Sequence, residues 1–250
     1  MTAALHPLTL HRHRGAAELG QAAGRHAADL LAELLAQQDS VRVMLGAAPS
    51  QEATLATLVA NSRIDFSRVH AFHMDDYLGL DPGAPQGFAN WLADRVVRPT
   101  GGRLRLHRMD TSMEPAAAAA AYEQAMGTAD FDLVLLGLGQ NAHLAFNDPP
   151  ADFDHPRAAA VVALDQVSRQ QQVDEGHFPD LAAVPTHAVT VTIPRLLAAR
   201  TLIASVPGRA KRRAVTATVH GEPDPLVPGT ALKLHPDAHL YVDEEAGADV

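Results

Sequence analysis

One stretch constrains the fold of this chain more than any other: residues 131–150, FDLVLLGLGQNAHLAFNDPP. Residues 133–136 form a continuous apolar run closed by Gly137. Alternation would mark a strand with one wet face; a continuous run marks a strand buried on both faces, the parallel-sheet type. The turn Gly137-Leu138-Gly139 then opens into a short segment carrying Asn141, His143 and Asp148, stopped by Pro149 and Pro150. Polar groups at the carboxyl ends of such strands are where α/β proteins build their sites. Gly137-x-Gly139-x-x-Ala142 also fits a loose dinucleotide fingerprint, with Asp165 closing a later apolar run. That fingerprint needs a long helix to aim its N-terminus at a pyrophosphate. The two prolines leave room for about two turns, which disfavours it.

The rest of the chain repeats the strand-then-helix alternation. Strands are expected at 7–13, 41–45, 69–74, 104–107, 158–164, 187–192, 202–206 and 239–242. Helices are expected at 16–38, where leucines recur at helical spacing, and at 51–61, 88–97, 114–126, 195–199 and 209–219. Residues 165–183 are long, polar and irregular, and read as a loop that serves as an active-site lid or lies mobile on the surface. No linker, repeat or composition break divides the 250 residues. The expected fold is a single α/β domain: a Rossmann-like, open, mostly parallel sheet with helices on both faces.

Composition narrows the function. A net charge of −9 with no basic tail, and only 4% aromatic residues, disfavour nucleic acid as a partner. The absence of cysteine removes disulfides, thiolate catalysis and thiolate metal sites. Fourteen histidines are scattered without a ligand pattern such as HExxH, so no metal is expected. No apolar run is long enough to span a membrane, and residues 1–14 lack a signal core, so the expected location is cytoplasmic.

In a parallel sheet the chemical residues converge. Gly46, Ala47, Ala48, Pro49 and Ser50, then Asp75 and Asp76, then Asn141, His143 and Asp148, and finally Gly208 to Arg213 each follow a strand's carboxyl end. Asp75 and Asp76 are adjacent, so strand alternation lets only one face a given site. An aspartate beside another carboxylate and partly desolvated has a raised pKa and suits a general base; a turn-capping pair is the plainer alternative. His143 with Asp148 suits acid–base work near neutral pH. Arg209, Lys211, Arg212 and Arg213 open a helix, where cations oppose the macrodipole unless an anion sits there. A solvated basic face would explain them equally. The residues together suggest proton transfer on a phosphorylated small molecule.

The blocks 72–80, FHMDDYLGL, and 137–149, GLGQNAHLAFNDP, resemble the two signatures of the glucosamine-6-phosphate deaminase (isomerase) family. VPTHAVTVT at 184–192 and Leu234-His235-Pro236 resemble its later blocks. The sister family, 6-phosphogluconolactonase, shares the fold but differs at both signatures. The resemblance implies conversion of an amino-sugar 6-phosphate to a ketose 6-phosphate and ammonia, without metal or redox cofactor. Asp75 would carry a proton between C2 and C1. His143 would assist ring opening, polarised by Asp148 and the residue at 141. Lys211, the loop with Gly46, Ala47 and Ser50, and Arg169 of the lid would hold the phosphate, with Asp76 and Gly139 also at the substrate. The family usually has Asp at 141, Gly at 142 and Glu at 148, where this chain has Asn141, Ala142 and Asp148. A lactonase-type hydrolase and a non-catalytic sugar-phosphate sensor are the alternatives, and homo-oligomerisation is left open.

Overall fold

A computed structural model describes residues 4–250. The elements run β1 (Thr9–His13), α1 (Ala16–Leu35), β2 (Val41–Leu45), α2 (Glu52–Val59), β3 (Val69–His73), β4 (Asp75–Tyr77), α3 (Phe88–Leu92), β5 (Arg105–His107) and α4 (Pro115–Met126). They continue through β6 (Phe131–Leu136), β7 (Ala159–Ala163), α5 (Gln166–Asp174), β8 (His187–Val191), α6 (Ile193–Leu197), β9 (Ala199–Val206), α7 (Arg212–His220) and β10 (Ala238–Asp243). Seven strands form one sheet in the order β1-β10-β9-β6-β2-β3-β5, and every pair in it is parallel.

The central strand β6 is buried on both faces, and its side chains divide between two cores. Leu133 and Leu135 pack with the layer that contains α1, while Phe131, Val134 and Leu136 join the opposite layer, which contains α4. The continuous apolar run is therefore read correctly, and for the expected reason. Helix α1 presents Leu19, Ala23, Ala27, Leu31 and Leu34 to the sheet at helical spacing. Gly20 and Gly24 meet α2 so closely that a Cβ at Gly20 would lie 2.3 Å from that of Ala53.

Two expectations need correction. The strands expected at 158–164 and 187–192 do not join the parallel sheet. As β7 and β8 they form a separate antiparallel sheet with β4, in the order β4-β8-β7. Strand β7 alternates between sheltered and open positions, as a strand with one wet face does. The chain of β3 does not end at Met74 but crosses into this second sheet. The Met74 carbonyl accepts from Val191 N–H at 2.7 Å, and Asp75 pairs with Thr190. An aromatic cluster of Tyr77, Phe88, Phe146 and Phe178 fills the space beneath.

The second correction is α5, which stands where an irregular loop is expected. Asp165 caps it by accepting from Val167 N–H at 2.5 Å. Its inner face carries Ser168, Gln171 and Gln172, all buried. A helix that buries polar side chains leaves no apolar stripe for periodicity to detect. No helix of the described residues is long and apolar enough to cross a membrane.

Candidate active site

A cleft opens at the carboxyl ends of β2, β3, β6 and β9, the edge where an open parallel sheet gathers its loops. The loop after β2 contributes Gly46, Ala47 and Ser50, and the β3–β4 junction contributes Asp75. The turn after β6 contributes Gly139 and His143, and Lys211 comes from the tight turn that precedes α7. Seven of the residues expected at a site thus line one cleft. Gln51, Gln171, Gln172 and Glu175 line it too, and sequence reasoning missed all four. Three of them belong to α5 or its end, so a signal existed only in the Asp165 cap that starts that helix.

Asp75 is buried, with its carboxyl pushed well above the usual range by burial first, then by the neighbouring charges of Asp76 and Asp148. Its backbone is pinned by His73. The Nε2 of that ring accepts from Met109 N–H at 2.9 Å, so Nδ1 carries the proton and donates to the Asp75 carbonyl at 2.9 Å. Asp76 is placed elsewhere. Its carboxylate accepts from the backbone N–H of Tyr77, Phe88 and Ala89, which caps the start of α3, and it lines a different groove. Of the adjacent pair, one faces the cleft and the other holds a helix, as strand alternation requires.

The His143 ring lies directly on Gly139. A Cβ at 139 would stand 2.2 Å from His143 Cε1, so only glycine fits beneath the ring. His143 Nδ1 is 3.0 Å from Asp148 Oδ1, and Nε2 has no protein partner among the described residues. Asn141 makes no hydrogen bond to the ring. Its Nδ2 donates to Asp148 Oδ1 at 3.0 Å, and its Oδ1 accepts from His143 N–H at 3.1 Å. An aspartate at 141 would offer no donor to Asp148; the amide supplies one. Burial alone would raise the Asp148 carboxyl, but hydrogen bonds from His143, Ser168 and Asn141 outweigh it and hold the group down at about 2. Asn141 and Asp148 stand behind His143 and do not line the cleft. Ala142 adopts φ +66°, a left-handed conformation that costs a non-glycine residue about 1 kcal/mol.

Lys211 is buried, and its ammonium is pushed below its usual range by desolvation, partly offset by Glu175. Glu175 Oε1 lies 3.8 Å from Lys211 Nζ and accepts from Gln171 Nε2 at 2.7 Å. The other cations of this segment point away: Arg212 pairs with Asp249, and Arg209 and Arg213 are exposed. The amides of Ala47 and Ala48 have no backbone partner among the described residues, leaving donors free for an anion near Lys211. Arg169 is not at the cleft. Its guanidinium donates to the carbonyls of Leu181 at 2.6 Å and Val184 at 2.9 Å, tying the segment after α5. Among the described residues no group of three or more His, Asp or Glu is arranged to hold a metal ion.

Residues 14–240 match the family described as glucosamine-6-phosphate isomerases/6-phosphogluconolactonase. A glucosamine-6-phosphate deaminase of Streptomyces avermitilis is 32% identical over 244 residues, which cover 91% of this chain and 88% of the relative. One of Streptococcus sanguinis is 29% identical over 224 residues, covering 89% and 92%. Among solved structures, a monomeric glucosamine-6-phosphate deaminase superposes with a TM-score of 0.86 at 26% identity, covering 96% of this chain and 99% of its own. A 6-phosphogluconolactonase of Trypanosoma brucei shares the fold, with a TM-score of 0.78 at 18% identity, covering 99% and 100%. The glycine turn beneath His143, the parallel sheet that carries it and the match over nine-tenths of the chain agree, and the chain belongs to the glucosamine-6-phosphate isomerase/6-phosphogluconolactonase family.

Proposed function

We propose that this chain is an isomerising deaminase that converts glucosamine 6-phosphate and water to fructose 6-phosphate and ammonia. The observation that carries the reading is the convergence of Asp75, His143 and Lys211 on one cleft, in a chain whose relatives of about 30% identity are deaminases.

Lys211 and the free amides of the β2 loop hold the phosphate. With its Nδ1 proton committed to Asp148, His143 presents Nε2 to the sugar and passes the proton from O1 to O5 as the ring opens. Asp75 takes the proton from C2 and returns it to C1, while O1 gains a proton and the C2 amine loses one. Burial, which raises the Asp75 carboxyl, makes it a stronger base than an exposed aspartate, so it takes the C2 proton more readily and then hands it back. The C2 imine that results is hydrolysed by water, which leaves the ketone and releases ammonia.

Incubation with glucosamine 6-phosphate tests this directly. Equal amounts of ammonia and fructose 6-phosphate are expected. Hydrolysis of 6-phosphogluconolactone without ammonia release would instead make the chain a lactonase, and saturable sugar-phosphate binding without any product would make it a sensor.

A further inference from the structure

Helix α5 supplies a side chain to the acid–base pair. Ser168 sits in its first turn and is fully buried. Its Oγ lies 2.8 Å from His143 Nδ1 and hydrogen-bonds to Asp148 Oδ1. The Asp148 carboxylate can only accept, so the serine proton goes to Asp148. The Oγ lone pair then accepts from His143 Nδ1–H, giving that proton two acceptors. We propose that Ser168 is a positioning residue that locks the His143 ring in one tautomer and one orientation from helix α5. The inference rests on reading His143 as the ring-opening acid–base group.

The connections of Asp148 support it. Oδ1 receives Asn141 Nδ2, His143 Nδ1 and Ser168 Oγ, and Oδ2 receives Asp165 N–H at 3.0 Å. Two of these donors come from the loop that carries His143, and two from the start of α5. The carboxylate behind His143 is therefore fully satisfied only while α5 is docked. The same helix presents Gln171 to the turn after β6, accepting from Gln140 N–H at 3.0 Å, and Glu175 follows its last turn at Lys211. Ser168 is sealed from solvent, so no water can take the place of its hydroxyl. Its contribution is a hydrogen bond to the charged Asp148 carboxylate, worth about tenfold in an equilibrium or a rate.

The test compares wild type with Ser168→Ala and Ser168→Cys. The second variant fills the same space with a poor donor, and it is the one to read if the first fails to fold. Two quantities are measured: kcat and KM on glucosamine 6-phosphate, and the low-field proton resonance of His143 Nδ1–H. A positioning role predicts a fall in kcat of roughly tenfold with KM within about twofold, and a displaced or broadened resonance. Unchanged kcat, or a rise in KM alone, would mean that Ser168 only tethers α5 and would overturn the proposal. If wild type has no deaminase activity, the proposed reaction falls. The resonance still decides for Ser168: displacement in the variants supports the lock, and an unmoved resonance overturns it.

Discussion

Gly139→Ala adds one methyl group where the structure has room for none. The new Cβ would lie 2.2 Å from His143 Cε1 and 2.3 Å from both Nδ1 and Nε2. Carbon contacts settle at about 3.5–4.0 Å, so the ring must withdraw by roughly 1 Å or more. The 3.0 Å contact between Nδ1 and Asp148 does not survive such a shift, because hydrogen bonds weaken steeply near about 3.5 Å. Gly139 is not among the positive-φ residues, so alanine suits its backbone and the steric push acts alone. A misplacement of about 1 Å costs on the order of 100-fold in kcat, and overpacking costs about 1–3 kcal/mol of stability. The assay is ammonia and fructose 6-phosphate release at saturating substrate, run well below the melting temperature of the variant. Gly137→Ala serves as the comparison. Its Cβ would stand 3.0 Å from Gln51 Nε2 and 3.3 Å from Ser50 Oγ, which moves the β2 loop and is expected to raise KM rather than lower kcat. A kcat for Gly139→Ala within about threefold of wild type would refute the reasoning, since the ring position would then not govern turnover.

Three further outcomes are expected. Asp75→Asn abolishes turnover while leaving inorganic phosphate binding intact. Because the folded-state pKa of Asp75 is raised, its contribution is favourable at low pH and is lost as pH rises, so the variant melts above wild type at pH near 8 and the gap narrows toward pH near 4. Asp148 shifts the other way, from 3.8 down to about 2. Its stabilisation, about 2 kcal/mol, is present above the unfolded value and lost as pH falls toward 2, and an acid-unfolding series should lose that component in Asp148→Asn. Lys211→Ala raises KM by roughly 10- to 100-fold with kcat little changed, whereas Glu175→Gln lowers KM, because an acidic side chain no longer competes for the ammonium; inorganic phosphate inhibition should follow the same order.

Part of this protein is legible in one dimension, where local pattern and tertiary role coincide. A strand segment buried on both faces is apolar, so residues 43–45 of β2 and 133–136 of β6 announce themselves, and the turns that follow them mark one sheet edge. An amphipathic helix must repeat its apolar residues, so α1 does likewise. Asp75, His143 and Lys211 were legible because each stands just past such a strand. Strand pairing, by contrast, is settled by long-range contacts. Residues 187–191 are as apolar as a parallel strand, yet backbone hydrogen bonding to β4 and β7 carries them into a second sheet, and a local pattern does not name a partner. The adjacent Asp75 and Asp76 are chemically equal in sequence; the fold turns one to the cleft and spends the other on capping α3. The polar face of α5 looks like loop in one dimension. It becomes a helix because its serine, glutamines and cap find buried hydrogen-bond partners that exist only once the sheet edge is assembled.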